Sequence, residues 1–222
     1  MPLFFRITKT FFGLCLLPLC WALGAVIVCL TFRSSRFALL FFAGFAPATL
    51  ITVFRGQAGR LYIFVHEMTH VLWSFITLVP IKKIEMTSSG GHIEVEREHL
   101  LIALAPYFFP LTLFFLIIAH SILQFLGLTY MFIAYTEYLI MGALLGWHTV
   151  TSIQVIAQGQ LEIERIGLFL SLSIIYVLFF FWTGLFISIL IPDFYLADFL
   201  SLSYKQIITA YSHCVNIIFN GL

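Results

Sequence analysis

Six stretches of the chain, at about 10–32, 37–54, 58–80, 100–126, 129–157 and 166–191, are too long and too apolar to be left in water. A helix crossing the roughly 30 Å hydrocarbon core of a bilayer needs about 20 mostly apolar residues. Inside that core only helices and closed barrels satisfy their own backbone hydrogen bonds. Composition points the same way. The 222 residues are 62% hydrophobic and 9% charged, with 26 Phe, whereas an ordinary soluble domain carries about a quarter charged residues. That charge cannot coat a water-facing surface. The expected architecture is an all-α polytopic membrane protein with about six transmembrane helices.

The same numbers exclude other classes. A formal net charge of +1 offers no basic stripe, so no nucleic-acid partner is expected. The four cysteines form no CxxC pair, and Cys15, Cys20 and Cys29 fall in the first apolar stretch. They read as small hydrophobes in a membrane helix. Arg6 and Lys9 precede that stretch as they would in a signal peptide. Its length, however, exceeds the usual apolar region of roughly 7–15 residues and no clean small-residue cleavage site follows, which favours an uncleaved helix.

One connection is polar. IKKIEMTSSGGHIEVEREH, residues 81–99, alternates around Ser88-Ser89-Gly90-Gly91. It predicts a small β-hairpin with Ile84, Met86, Ile93 and Val95 on one face. The stretch 193–222 mixes Asp193, Asp198, Lys205 and His213 with apolar residues at near-helical spacing, as an amphipathic helix along the membrane surface would. The organisation is therefore 1–57, N-terminal membrane helices; 58–170, a core of three membrane helices with the hairpin; and 171–222, a last membrane helix and amphipathic tail. Lys and Arg divide too evenly between the two sides to fix absolute topology. The third and fifth segments lie two crossings apart and so run parallel.

The third segment contains LYIFVHEMTHVLWSF, residues 61–75, in which His66, Glu67 and His70 interrupt an apolar run. Ionisable residues at membrane depth are costly and usually functional. On a helix, positions i and i+4 share a face, so His66 and His70 can reach one metal ion while Glu67 reaches water beside it. This HExxH spacing suits zinc-assisted hydrolysis: the ion acts as Lewis acid, and Glu67 takes a proton from water and passes it to the leaving amine. The competing explanation is a polar cluster bonded to neighbouring helices for packing alone.

A catalytic zinc takes a third protein ligand. His148, in the parallel fifth segment, lies about as far from the end of its helix as His70 does, so the two depths match. Glu162 lies at the mouth of the same helix. It would be about 20 Å from His148 on a continuous helix, and reaches the site only if Gln158-Gly159-Gln160 unwinds. Depth favours His148 slightly. Glu137, three turns before His148, is expected to pair with His120 near the opposite surface, or to stay protonated, rather than to touch the metal. His92 and His99 are expected to be solvated beside the hairpin, and Trp147 and Tyr130 to have interfacial or packing roles. The hairpin is either a plain connection or a strand edge that clamps an extended peptide.

HEMTH, the following hairpin, ALAPYFFP (103–110) opening the next helix, and then His148 and Glu162 occur in an order that resembles the site-2 protease class of intramembrane zinc metallopeptidases. The resemblance covers roughly 58–170. It implies a zinc cofactor, a membrane-protein or membrane-associated peptide substrate cut within the lipid bilayer, and residence in a bacterial cytoplasmic membrane. The usual Asn-Pro-x-Pro…Leu-Asp-Gly motif is absent. Gln160-Leu161-Glu162 instead resembles the Gln-x-Asp of divergent bacterial members, with Glu in place of Asp, which would make Glu162 the third ligand. Two other functions fit the residues alone: a transporter or metal-ion permease using the same His and Glu groups, and a non-catalytic scaffold. Oligomeric state is not legible.

Overall fold

The computed structural model describes residues 3–56, 59–86, 91–97, 99–128, 130–191 and 194–220. Among them the elements run α1 (Leu3–Arg33), α2 (Ser35–Arg55), α3 (Arg60–Ile76), β1 (Ile81–Met86), β2 (Gly91–Val95), α4 (Leu100–Phe108), α5 (Leu111–Phe125), α6 (Met131–Ala157), α7 (Leu161–Ile166), α8 (Leu168–Leu190) and α9 (Leu196–Asn220). The expected Ser88-Ser89-Gly90 turn, Asp193, and the side chains of Met86 and His92 lie outside the described residues.

Helices α1, α2, α6 and α8 are each long and apolar enough to cross a membrane. This is a membrane protein, and exposed Phe54, Phe125 and Phe132 belong to the apolar surface such a protein presents to lipid. The two remaining apolar segments differ from simple spanning helices. The third is a helix of 17 residues, about 25 Å long, which stops at Thr77 before a turn in which Leu78 adopts φ 54°. The fourth is broken between α4 and α5, which meet at 73°. Pro110 lacks a backbone N–H and pushes Phe109 out of helical geometry, to φ −107° and ψ 102°. One continuous helix over 100–126 is therefore replaced by a bent pair.

Packing puts α4 at the centre. Leu104, Ala105 and Phe108 are fully buried, and Trp73 of α3 meets Phe108 edge-on with ring centroids 5.0 Å apart. Phe109 and Trp182 extend this aromatic cluster at 4.9 Å. Helices α2 and α6 approach more closely still, because glycines line their seam. A Cβ on Gly44 would stand 2.0 Å from the Leu139 carbonyl oxygen, and one on Gly142 would stand 2.0 Å from that of Phe41. Helix α9 is tied down: Phe199 is fully buried, and the Tyr211 hydroxyl donates to the Cys15 carbonyl at 2.6 Å.

The hairpin is antiparallel, with Ile84 opposite Ile93 and Met86 opposite Gly91, and the register shifts between Ile81 and Lys83. It hangs from the end of α3 and returns the chain to the start of α4.

The glycine seam can be tested. Gly142→Val drives a side chain into backbone that cannot yield, and should destabilise the protein by about 1–3 kcal/mol or more. Gly24→Ala is the control, since its Cβ would meet nothing closer than 3.5 Å. Thermal unfolding in detergent should show a lower Tm for the first and little change for the second. Equal Tm values would mean the seam is looser than described.

Candidate functional site

Helix α3 stacks Tyr62, His66 and His70 along one face, one turn apart. The rings of Tyr62 and His66 lie 5.6 Å apart and those of His66 and His70 5.0 Å apart. Each imidazole is oriented through Nδ1. His70 donates from Nδ1 to the Ile102 carbonyl of α4 at 2.8 Å, and His66 Nδ1 faces the Tyr62 hydroxyl at 3.3 Å. A histidine whose Nδ1 proton is committed carries its lone pair on Nε2, the arrangement outer-shell partners impose on metal-binding histidines.

Glu67 projects to the side and is 7% exposed. Strand β2 presses on it at Gly91, where a Cβ would lie 2.3 Å from the Glu67 Cγ. Only a residue without a side chain lets the strand come so close. The result is a cavity of about 600 Å³ whose walls include His66, Glu67, His70, Gly91, Val95, His99, Gln160 and Glu162.

Glu162 arrives as the unwinding condition requires. Helix α6 ends at Ala157, Gly159 takes φ +83°, and Gln160 is extended at φ −120° and ψ 126° before α7 begins. The acid thus turns back over the cavity. His148 does not line it. Buried at 3% exposure, its ring stacks on Phe179 at 5.9 Å. The Tyr107 ring meets His66 edge-on at 5.4 Å. His148 Nε2 has no hydrogen-bond partner among the described residues.

The side chains do not form a closed metal cage. Among the described residues no three His, Cys, Asp or Glu groups gather closely enough to hold an ion. What is present is a pair of imidazoles one turn apart, His70 with its Nδ1 proton held by the Ile102 carbonyl, and a carboxylate on the same cavity wall. Two nitrogens and one oxygen form a donor set suited to zinc with an open fourth position, so the residues fit that ion if α7 closes inward. No protein-family model, curated protein or solved structure matches the chain.

Sequence reasoning missed part of the wall. His99, expected to be solvated, is half-buried beside the cavity, and its Nδ1 has no partner among the described residues. Tyr107, within ALAPYFFP, had no assigned role, yet its ring packs against His66. The signal for His99 was its place immediately before α4, the helix that packs on α3. Trp147 packs inside, against Tyr62 at 6.0 Å.

Thiol accessibility distinguishes wall from interior. In a background with Cys15, Cys20, Cys29 and Cys214 replaced by Ser, Gln160→Cys should label with a water-soluble maleimide in proteoliposomes. His148→Cys should not. Equal labelling would place position 148 on the cavity wall.

Proposed function

We propose that the chain is a membrane-embedded zinc endopeptidase that cuts transmembrane or membrane-adjacent substrates. The observation that carries this is one cavity joining His66, Glu67 and His70 to Glu162 and to the wall formed by β2. His66 and His70 would hold zinc through Nε2. Glu162 is preferred over His148 as third ligand, because it lies on that wall while His148 stacks on Phe179 away from it. Zinc bound there supplies a Lewis acid for the scissile carbonyl and lowers the pKa of the attacking water toward about 7.

The rest of the chemistry belongs to the protein. Glu67, held beside the histidines by the Gly91 contact, takes the water's proton and delivers it to the leaving nitrogen. Helical substrate is a poor target because its carbonyls are bonded internally. Strand β2, paired on one side by β1, offers an extended substrate backbone the other side, and adding a strand there would expose one peptide unit to Glu67. In this reading α3 and the bent α4–α5 pair enter the bilayer with the four longer helices, giving six membrane segments. The resemblance to bacterial intramembrane peptidases supports a cytoplasmic membrane location.

Metal analysis of protein purified without chelators should give about one zinc per chain, lost in His66→Ala and His70→Ala. Glu162→Ala should also lower it strongly, and His148→Ala should not. Zinc near zero in the wild type would overturn the reading in favour of a non-catalytic scaffold.

Glu67→Gln separates the base from the ligands. Zinc content should stay at the wild-type level while cleavage of a membrane substrate falls about 10²–10⁴-fold. Near-normal cleavage would remove Glu67 from its role.

A further inference from the structure

A second cavity, of about 510 Å³, lies at the other end of α6. Its walls include Glu137 and His120, the end of α8, and the rings of Tyr130, Tyr138 and Phe194. Glu137 sits in the second turn of α6, and Ala157, where the helix ends toward the first cavity, is about 30 Å further along. Nothing in the proposed peptidase chemistry uses this site.

Its polar content is a short chain of hydrogen bonds with one loose end. Gln124 donates from Nε2 to His120 Nε2 at 2.8 Å, so the imidazole proton is on Nδ1. That nitrogen donates to Glu137 Oε2, also at 2.8 Å. Glu137 is 5% exposed, and its second oxygen, Oε1, has no hydrogen-bond partner among the described residues. A buried carboxylate oxygen without a donor is costly, and the free energy falls when a cationic donor reaches it.

We propose that this cavity binds an organic ammonium group, with Glu137 Oε1 accepting its hydrogen bond and the aromatic walls facing its charge. A hard metal ion is a poor match, because such ions demand about six oxygen ligands and the cavity supplies one uncommitted carboxylate oxygen. Aromatic rings around a carboxylate suit an alkylammonium instead. The location suggests a source. Tyr130 and Tyr195 on the cavity wall are exposed, as aromatics at the headgroup level of a bilayer are. Exposed Arg33 lies over the Phe194 ring, 5.0 Å from its centroid, and offers a cation for a phosphodiester. An ethanolamine phospholipid presents both charges, and a soluble amine presents the first alone.

The test uses full-length protein in mixed micelles, with native mass spectrometry reading bound lipid. Dioleoyl phosphatidylethanolamine, phosphatidylcholine and phosphatidylglycerol are supplied separately, and ethylamine and phosphoethanolamine serve as soluble competitors. Wild type should retain one phosphatidylethanolamine in preference to phosphatidylcholine, which has no N–H to donate, and to phosphatidylglycerol. Glu137→Gln, which keeps an acceptor for His120 but loses the charge, should weaken retention about tenfold or more. Ala134→Phe adds bulk to the cavity wall while keeping the Glu137 side chain and should abolish retention, which keeps the test open if Glu137→Gln fails to fold. Saturable ethylamine binding without lipid preference, lost in the same variants, supports the ammonium site with a soluble source. Equal retention of all three lipids with no amine binding, or retention unchanged in both variants, overturns it. None of these readouts involves zinc or proteolysis.

Discussion

In hydrocarbon a polar group has no water to fall back on, and every hydrogen-bonding atom must find its partner within the protein. Most side-chain hydroxyls solve this locally: Thr69 donates to Val65, Thr52 to Ala48 and Thr151 to Trp147, each one turn back along its own helix. Several ionisable groups instead line the two cavities, His66, Glu67, His70, His99 and Glu162 in one and His120 with Glu137 in the other. The fold is arranged around those exceptions. Helix α4 is inserted, buried on nearly every side, so that the Ile102 carbonyl can fix His70. The α4–α5 bend then lets the chain leave that position without carrying a straight helix through the first cavity.

Much of this was legible in the sequence, because the bilayer imposes a coarse and demanding code. The runs at 10–32, 37–54, 129–157 and 166–191 correspond to α1, α2, α6 and α8 within a few residues, except that α1 begins earlier. The alternation in 81–99 predicted a hairpin with Ile84 and Ile93 on one face, and the two stand opposite each other. The pairing of Glu137 with His120 followed from depth alone. Depth also explains the harder part. Along the membrane normal, rise per residue is a ruler, but it gives no rotation about the helix axis and no lateral position. His148, chosen by such counting, stacks on Phe179 and does not line the cavity. Glu162 lies at the wrong depth on a straight helix and comes over the cavity only because Gly159 turns the chain.

The break at Pro110 was equally visible as residues and equally hard to weigh. Proline occurs inside α1, α2 and α4 without ending them, so its presence does not dictate a bend. Here Phe109 adopts an extended conformation and is rewarded by packing against Trp73, Phe114, Trp182 and Phe186. Tertiary aromatic contacts, not local propensity, decide that this proline separates two helices.

The meeting of Gly91 with Glu67 has a consequence for sequence drift. A β-strand that slips by one residue turns every side chain over, and one that slips by two brings a different residue to the same spot. A slip toward the later residues of β2 would present a side chain to the Glu67 carboxylate: His92 after one, Ile93 after two. The contact therefore opposes that slip and ties the phase of the hairpin to the phase of α3 in that direction. Any extended chain lying beside β2 inherits that phase, and its peptide units fall at fixed distances from position 67. A single added residue between Gly91 and Val95 would shift that alignment, so the length of this strand is fixed by the acid it lies against.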